Sequence, residues 1–379
     1  MKTHKKTLFL TGGTGFIGSN LAAKFIQLGY KIYFLARSNA KFHAEERILK
    51  ALSPLIPLPK DNYRVLDCDL NSPLNITLPE PVDGILHAAA SLSFKEEDCI
   101  ETLTTNVVGT KNLLDFAVRN NIKRFDHIST WYVMGSRKGK IKESELNCGQ
   151  KFYNRYEESK MLGEECAQKW ASDTGGSLAV YRPSVVVGDS KTGFTTSFTG
   201  YYTCARGFYL LKKLIESDLL KSPDRYKDTG ISIKRKFLYL PVHFPGIENT
   251  PIDILPIDIV VKAISDIATS GKTGTFHITN METISCKEFI EMSMEILGIR
   301  GVKISLQKDE TLHPVLKRLN AQIKDTMKYY QPYTSYGSIA PVCDQTNTMA
   351  ALGKPIGFKI TKKFLELILD YAIRVHFKG

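Results

Sequence analysis

The chain has 379 residues and a hydrophobic content of 43%, which allows one large fold plus a smaller module and argues against general disorder. Its seven cysteines are scattered and include no C-x-x-C pair, so neither a disulfide framework nor a cysteine-based zinc site is expected. The net charge of +12 either serves a solubilising surface or indicates an anionic partner such as a nucleotide, CoA or an acidic carrier protein. No nucleic-acid-binding signature accompanies it, so we expect no nucleic-acid partner, and we predict no metal site.

The sequence also bears on location. The start of the chain is basic, but the apolar run after it reaches glycines within a few residues, so we predict no signal peptide. No apolar run approaches the roughly 18–20 residues that a membrane span needs. The amphipathic segment 361–376 is expected to pack on a core, which is the commoner use of such a stripe. We therefore expect a cytoplasmic protein without a membrane span.

Short β-branched or apolar runs alternate with longer amphipathic segments over the first half of the chain, which predicts a parallel sheet covered by helices. In chain order we predict a strand at 7–11, a helix at 15–28, strands at 31–36, 64–68 and 84–87, a helix from about 99 to 120, a strand at 124–129, a helix at 153–171 and a strand at 177–181. The pattern loosens after Gly188. A strand-and-helix signal returns at 252–268, with a strand at 274–278, and the last hundred residues are mainly helical.

A glycine-rich turn, Thr11-Gly12-Gly13-Thr14-Gly15-Phe16-Ile17-Gly18, lies between the first predicted strand and its helix. Gly12 permits the tight turn, Gly15 lets a pyrophosphate approach the backbone, and Gly18 lets the helix pack on the strand. The N-terminus of the helix offers free N–H groups and the positive end of its dipole. We therefore predict a Rossmann-type dinucleotide site with these contacts: Gly12, Thr14, Gly15, Phe16, Ile17 and Gly18.

The ends of the next strands indicate which dinucleotide binds. Arg37 closes the second strand, where an acidic residue would hold the ribose of NAD, and a guanidinium there favours the 2′-phosphate of NADP. Arg47 on the next helix either reaches the same phosphate or is a solvated helix-face residue. Further cofactor contacts are expected from residues that follow the third and fourth strands: Asp69, Leu70, Ala88 and Ala89.

Tyr156 and Lys160 are four residues apart on a predicted helix, so their side chains share one face. An ammonium beside a phenol is expected to lower the phenol pKa from its usual value of about 10 and make it a usable proton donor. Thr130 ends the fifth strand, at the sheet edge where open α/β folds bind ligands. Tyr153 is a rival tyrosine, but Glu157 rather than a lysine stands four residues after it.

Several motifs together resemble the extended short-chain dehydrogenase/reductase superfamily: T-G-G-T-G-F-I-G, H-A-A-A, T-N-V-V-G-T, H-I-S-T, Y-E-E-S-K and R-P-S-V-V-V-G-D-S-K-T-G. The last of these, at 182–193, and the arginine at the second strand end are similar to the thioester-reductase and fatty-acyl-reductase branch, also known as the male-sterility type. The likeness covers about residues 7–280. Beyond it, D-Q-T-N-T at 344–348 is weakly similar.

The resemblance implies a fold and an organisation. It implies an α/β, Rossmann-type doubly wound parallel sheet with a smaller, mainly helical substrate-binding portion. We expect residues 1–190 to form the NADP-binding domain and 191–250 to form a segment that covers the substrate. Residues 251–280 are expected to return to the first domain, and 281–379 to form the mainly helical substrate-binding portion.

The resemblance also implies an activity, NADPH-dependent reduction of an acyl thioester carried by CoA or by a carrier protein to an aldehyde or alcohol. Thr130 would polarise the carbonyl, Tyr156 would donate the proton, and Lys160 would support both the tyrosine and the nicotinamide ribose. Pro183 and Val186 would line the nicotinamide. Asn106 matches an asparagine of the family's long helix, where it either contacts the cofactor site or braces the helix.

The substrate side is less sharply defined by the sequence. Trp131 and Tyr132 follow Thr130 and are expected to touch substrate. Phe194 and Tyr201 belong to an aromatic segment that suits either an acyl tunnel or the core of a helical lid. Two alternatives stay open: an extended short-chain dehydrogenase that acts on a ketone, a hydroxyl or a sugar nucleotide, and a non-catalytic nucleotide-sensing protein.

Overall fold

The computed structural model describes residues 5–57, 60–306, 313–334 and 340–378, so the first four residues of the basic start lie outside the described part. The strands, in chain order, are β1 Thr7–Thr11, β2 Lys31–Ala36, β3 Tyr63–Asp67, β4 Gly84–His87, β5 Arg124–Ile128, β6 Gly139–Ile141, β7 Ser177–Pro183, β8 Val185–Val187, β9 Ser232–Lys234, β10 Phe237–Tyr239, β11 His243–Phe244, β12 Pro251–Ile252, β13 Ile254–Pro256, β14 Gly274–Ile278, β15 Ile284–Ser285, β16 Ile299–Arg300, β17 Lys303–Ile304 and β18 Pro341–Cys343. The α-helices are α1 Phe16–Gln27, α2 Ala44–Leu52, α3 Cys99–Leu103, α4 Gly109–Arg119, α5 Arg155–Thr174, α6 Tyr201–Lys221, α7 Ile257–Thr269, α8 Cys286–Ile296, α9 Pro314–Met327, α10 Thr346–Leu352 and α11 Lys362–Arg374.

The chain divides into two compact units, each built from several stretches of sequence. Unit 1 comprises residues 1–186, 257–279 and 342–356, and unit 2 comprises residues 187–256, 280–341 and 357–379. The sequence alone grouped 342–356 with the C-terminal portion, whereas the structure groups this stretch with unit 1. Hydrogen bonds from residues 344–348 to His277, Thr279 and Glu143 hold the stretch in unit 1. These partners are far away in the sequence, so no local pattern indicates them.

Unit 1 contains a seven-stranded parallel sheet in the order β14-β7-β5-β4-β1-β2-β3. The order reverses direction at β1, which pairs with β2 on one side and with β4 on the other. This is the doubly wound Rossmann-type fold, and the predicted fold class is confirmed. In such sheets, ligands bind outside the carboxyl ends of the strands at the reversal point, where the glycine-rich turn follows β1.

The central strands β1 and β2 are buried on both faces, because helices cover both. One set of alternate residues, Phe9, Tyr33 and Phe125 among them, packs in one core with Phe116 of α4 and Trp170 of α5. The intervening residues, such as Leu8, Leu10, Ile32 and Phe34, point to the opposite face and are also buried. There α1 contacts α2 and α7.

The predicted long helix at 99–120 is broken by a π-helical turn at Thr104–Val108, between α3 and α4. Such turns occur frequently at functional sites. The other predicted helices and strands of the first half have the observed bounds to within three residues. Four strands, at 7–11, 31–36, 84–87 and 274–278, have the predicted bounds.

Unit 2 is mainly helical and also contains a three-stranded sheet in the order β16-β10-β9. Helix α11 packs on α8. Four residues of the predicted amphipathic stripe, Phe364, Leu365, Ile368 and Ala372, are buried together with Leu369, whereas the other two, Tyr371 and Val375, are only partly buried. Within the described ranges, every helix is too short or too polar to cross a bilayer.

Candidate active site

The glycine-rich turn after β1 is held by close backbone approaches. Gly12 has a φ of +75°, and a Cβ there would lie 2.5 Å from the carbonyl carbon of Ala88. A Cβ on Gly18 would lie 2.1 Å from the Gly12 carbonyl oxygen, so both positions require glycine. Gly13 is also required, because a Cβ there would lie 2.6 Å from the Phe34 ring. The sequence alone did not indicate this, since Phe34 lies on the next strand.

The start of α1 has the features of an anion site. Its N-cap is Gly15, which supplies no side-chain cap, so the first N–H groups of the helix are left for another acceptor. A Cβ at Gly15 would approach only the Gly12 carbonyl oxygen, at 3.3 Å, so the backbone is approachable there. This bare helix N-terminus fits a pyrophosphate, and the predicted contacts Thr14, Phe16 and Ile17 are part of the same turn.

Arg37, after β2, lies beside Asp69, after β3. The Nη1 atom of Arg37 is 3.5 Å from Oδ2 of Asp69, and the two side chains are 54% and 44% exposed. Such a long, exposed ion pair contributes little to the stability of the fold, so the Arg37 guanidinium is available to another anion. Arg47 of α2 donates from Nη1 to the backbone carbonyl of Arg37. The side chain of Leu70 is buried in the core of unit 1, so a cofactor contact at this position would come from its backbone.

A buried chain of hydrogen bonds joins β1, β4 and the π-helical turn. The Thr11 Oγ1 atom lies 2.7 Å from His87 Nδ1, and His87 Nε2 lies 3.0 Å from Thr110 Oγ1. Because Thr110 donates to the Asn106 carbonyl at 2.7 Å, its oxygen accepts from His87, which places the imidazole proton on Nε2. Burial lowers the pKa of His87 to about 3, and the ring is therefore neutral.

Asn106 braces α5, the helix that carries Tyr156 and Lys160. Its Nδ2 atom donates to Ser159 Oγ of α5 at 2.8 Å and to the Ser91 carbonyl at 3.0 Å, and its Oδ1 accepts from the Ser91 N–H at 2.8 Å. Ser159 in turn donates to the Tyr156 carbonyl at 2.8 Å. Of the two roles left open by the sequence, the geometry therefore favours bracing over contact with the cofactor. Ala88 and Ala89, which precede Ser91, adjoin the glycine-rich turn, where Ala89 N–H donates to Thr11 Oγ1 at 3.3 Å.

Thr130, Tyr156 and Lys160 are all buried at one edge of the unit 1 sheet. Thr130 follows β5, and its Oγ1 accepts from the Tyr132 N–H at 3.3 Å. The Lys160 ammonium donates to the Ile128 carbonyl at 2.7 Å. Tyr156 shares a side-chain hydrogen bond with Thr130, and Lys160 contacts the carbonyl two residues before Thr130, so the three predicted residues lie together at the end of β5.

The expected lowering of the Tyr156 pKa by Lys160 is wrong. Burial raises the pKa of Tyr156 to about 12, and a hydrogen bond with Thr130 opposes this rise. Burial also lowers the pKa of Lys160 to about 8, against the attraction of Glu164. Tyr156 is therefore a protonated donor at neutral pH, and Lys160 is close to its titration point.

The predicted nicotinamide contacts Pro183 and Val186 lie at the end of β7 and in β8. Pro183 is buried and Val186 half-buried. The Oγ atom of Ser184 is buried and has no hydrogen-bond partner among the described residues. An orphaned hydroxyl beside Pro183 fits a polar group of a bound cofactor, although Ser184 was not among the predicted contacts.

The predicted substrate residues have mixed surroundings. Trp131 is buried, and its ring packs edge-on against His277 with centroids 5.1 Å apart, which is a packing contact. Tyr132 is half-buried. In unit 2, Phe194 packs on Tyr371 at 5.6 Å, and Tyr201 packs on Phe289 at 4.8 Å and hydrogen-bonds to Ser293 at 3.0 Å.

Comparisons with known proteins identify the family and the fold. The model of a family of NAD-binding domains described as male sterility protein matches residues 10–264, and the chain belongs to that family. The resemblance found in the sequence is therefore confirmed. Fatty acyl-CoA reductase 1 of Gallus gallus is 32% identical over 35% of the chain and 29% of its own length. The chain spans about half the length or less of other curated relatives with comparable matches.

Solved structures share the fold. The terminal R domain from the myxalamid PKS-NRPS biosynthetic pathway is 22% identical, with a TM-score of 0.76 over 100% of this chain and 93% of that one. A UDP-glucuronic acid 4-epimerase from Bacillus cereus, solved with NAD, is 18% identical, with a TM-score of 0.64 over 98% and 99% of the two chains. Together with the family, these findings support a nicotinamide dinucleotide cofactor. Among the described residues, no cluster of three metal-binding side chains occurs.

Proposed function

We propose that this protein is an NADPH-dependent reductase of acyl thioesters carried by CoA or by a carrier protein. The observation that carries the proposal is the buried Thr130–Tyr156–Lys160 set at the edge of a dinucleotide-binding sheet. Membership of the male sterility protein family and the match to a fatty acyl-CoA reductase support the substrate class. The surplus of 12 positive charges suits phosphorylated or acidic carriers.

When bound, the cofactor supplies a hydride for the carbonyl carbon. The glycine-rich turn and the N-terminus of α1 bind its pyrophosphate, and Arg37, with Arg47 near it, binds the 2′-phosphate that distinguishes NADP from NAD. Asp69 and the Leu70 backbone border the adenine, and Pro183 and Val186 border the nicotinamide. Lys160 holds the nicotinamide ribose.

The chain's own residues act on the oxygen of the substrate. Thr130 and Tyr156 donate hydrogen bonds to the developing oxyanion, and Tyr156 then gives up its proton. The hemithioacetal so formed collapses with cleavage of its C–S bond, and the products are a thiol and an aldehyde. A second reduction of the aldehyde would give the alcohol.

The substrate-binding portion is proposed to include unit 2, with Phe194 and Tyr201 in an aromatic segment suited to an acyl chain. Tyr132, next to Thr130, is proposed to approach the acyl group. Residues 1–190 with 251–280 would bind the cofactor, 191–250 would cover the substrate, and 281–341 with 357–379 would supply the helical portion. We also propose a cytoplasmic setting, since all seven cysteines are free in the structure.

The test is NADPH oxidation against a panel of substrates: acyl-CoAs of increasing chain length, acyl groups on a carrier protein, free aldehydes, a ketone and UDP-glucuronic acid. Thioester turnover should rise with chain length until the pocket fills, with at most about 0.8 kcal/mol for each buried methylene. Turnover should fall as salt is raised, because screening weakens attraction to an anionic carrier.

Faster turnover on the ketone or the sugar nucleotide, with flat chain-length dependence, would leave the family standing and overturn the thioester proposal. The epimerase neighbour shares only the fold at 18% identity, so the sugar-nucleotide alternative has weaker support. An absence of NADPH oxidation with every substrate would favour the nucleotide-sensing alternative.

A further inference from the structure

A fully buried ion pair lies behind the catalytic residues of unit 1. Arg182 of β7 and Glu164 of α5 have side-chain exposures of 1% and 0%. The Arg182 Nη2 atom donates to Glu164 Oε2 at 2.7 Å, and Nε donates to both carboxylate oxygens at 3.0 and 3.1 Å. This bidentate contact fixes the orientation of the two side chains relative to each other.

The pair connects three segments that carry site residues. Glu164 lies one helical turn after Lys160, and Arg182 directly precedes Pro183. The Glu164 carboxylate also accepts a hydrogen bond from the hydroxyl of Ser129, the residue before Thr130. One carboxylate therefore ties the ends of β5 and β7 to the catalytic helix α5.

The other side of the Arg182 guanidinium extends the connection. Its Nη1 atom donates to the Glu145 carbonyl at 2.9 Å and to His277 Nε2 at 3.3 Å. His277 Nδ1 lies 2.7 Å from the Asp344 carbonyl, so the ring carries its proton on Nδ1 and accepts from Arg182 through Nε2. Asp344 is the first residue of the D-Q-T-N-T motif, so the motif contacts His277 of β14 through the Asp344 carbonyl.

Glu143 attaches the rest of that motif. Its Oε1 atom accepts from the His277 N–H at 2.8 Å and from Thr348 Oγ1 at 2.6 Å, and Oε2 accepts from the Asn347 N–H. Gln345 adds hydrogen bonds to Thr279. The stretch 344–348 is therefore held by hydrogen bonds to His277, which contacts Arg182, and to Glu143 and Thr279.

Stability alone does not explain the pair. Removing two charges from water costs about as much as their attraction returns, and apolar side chains of similar volume often replace buried pairs without loss. What an apolar pair cannot supply is a directional tie to Ser129 or a negative charge near Lys160. Glu164 is the group whose charge holds the Lys160 pKa up against burial.

The other groups that face this ammonium are neutral. Burial lowers the pKa of His87 on β4 to about 3 and that of His127 on β5 well below its usual value. Tyr156 on α5 is protonated because burial raises its pKa. The electrostatic support of Lys160 therefore comes from Glu164.

We propose that Glu164 and Arg182 are positioning residues, whose ion pair aligns Thr130, Lys160 and Pro183 and keeps Lys160 charged for the cofactor ribose. The inference rests on the proposed function for the identity of the bound cofactor. Neither Glu164 nor Arg182 is proposed to touch substrate or cofactor, so both act through the residues that they hold in place.

The experiment measures NADPH affinity by fluorescence from about pH 6 to pH 9.5 together with thermal unfolding. It compares wild type with Glu164→Gln, Glu164→Asp and the double variant Glu164→Leu/Arg182→Met. Asp126→Asn is the matched control. The Asp126 carboxylate is 4% exposed, is bound by Arg124 at 2.6 and 2.8 Å, and accepts from the Tyr181 hydroxyl at 2.7 Å, near the start of β5.

Wild-type affinity should decline above about pH 8, as Lys160 loses its proton. In Glu164→Gln the midpoint of this decline should move down by about one pH unit or more, and thioester turnover at pH 7 should fall about tenfold or more. Glu164→Asp retains the charge and should keep the wild-type midpoint. The double variant should show the lowered midpoint with thermal stability equal to or above that of Glu164→Gln.

Asp126→Asn should lose stability without a change in midpoint. A wild-type midpoint in folded Glu164→Gln and in the double variant would overturn the positioning proposal, even with thioester turnover intact. A lowered midpoint in a protein that reduces no thioester would support the proposal and overturn only the proposed substrate.

Discussion

Tyr156 tests the proposed chemistry at the scale of a single residue. Burial raises its pKa to about 12, so the phenol is protonated at neutral pH and can donate to an oxyanion, which is a stronger base. Tyr156→Phe should therefore reduce turnover by roughly a hundredfold or more while NADPH affinity stays near wild type. Steady-state kinetics and a cofactor titration measure the two effects.

Tyr153→Phe is the control for this prediction. Tyr153 is 43% exposed, lies outside α5 and has the same side chain. Its replacement should leave turnover within about twofold of wild type, as surface substitutions commonly do. Equal turnover in Tyr156→Phe and wild type would remove Tyr156 from the mechanism.

Arg37 tests the preference for NADP. Its contact with Asp69 is long and half-exposed, so most of its interaction energy is available for a 2′-phosphate. Arg37→Asp should weaken NADPH binding much more than NADH binding, by about 2–3 kcal/mol, or a factor of tens to a hundred. Titration of both cofactors measures the ratio.

Arg64→Asp makes the same charge change on the exposed part of β3 and should alter both affinities by a similar small factor. Should wild type already bind NADH more tightly than NADPH, the assignment of Arg37 to a 2′-phosphate is wrong.

At the scale of elements, the π-helical turn depends on a single buried amide. Asn106 makes three hydrogen bonds to Ser91 and Ser159, and its loss would leave the part-buried N–H of Ser91 without this acceptor. Asn106→Ala should lower stability by about 2–3 kcal/mol and should also reduce turnover, because Ser159 supports the Tyr156 carbonyl. Thermal unfolding and kinetics on the same preparation measure both.

Asn112 of α4 provides the comparison, since its side chain makes one hydrogen bond among the described residues, to the Leu70 carbonyl at 2.9 Å. Asn112→Ala should cost less stability and leave turnover near wild type. Equal effects of the two substitutions would mean that Asn106 has no special role in the site.

The elements also show how far the sequence could be interpreted. Strands β1, β2, β4 and β14 have the predicted bounds because continuous apolar runs of that length occur in buried parallel strands. The π-helical turn was not predicted, since its residues fit a continuous helical pattern. Its position depends on Asn106 reaching Ser91 and Ser159 in other elements.

The residues of the candidate site also fall into those that the sequence could predict and those that it could not. The shared helix face of Tyr156 and Lys160 and the glycine-rich turn could be predicted because their spacing within one element carries the signal, and Thr130 could be placed because it follows a predicted strand. The roles of Glu164 and Arg182 could not, because their partners are 18 to 95 residues away along the chain. Arg182 was visible in the R-P-S motif, but nothing in the sequence pairs it with Glu164.

At the scale of the whole molecule, three buried neutral histidines link stability to pH. Burial lowers the pKa values of His87 and His277 to about 3 and that of His127 well below 6.5. A group whose pKa is depressed in the folded state contributes stability above its unfolded pKa and loses it as pH falls. Each histidine should therefore remove up to about 1.4 kcal/mol per pH unit below about pH 6.5.

His127 is the histidine to replace in a test of this pH dependence of stability, because neither of its ring nitrogens has a hydrogen-bond partner among the described residues. His127→Leu should remove about a third of the histidine contribution to the slope of unfolding free energy between about pH 6 and pH 4, since one titrating group of three is lost. It should also stabilise the protein at pH 7, because two unpaired buried nitrogens disappear. Denaturant unfolding at a series of pH values gives both quantities.

His376→Asn, at an exposed position with a φ of +55° that asparagine tolerates, should leave the slope unchanged. A slope that stays the same in His127→Leu would show that this histidine is already protonated in the folded protein at acid pH.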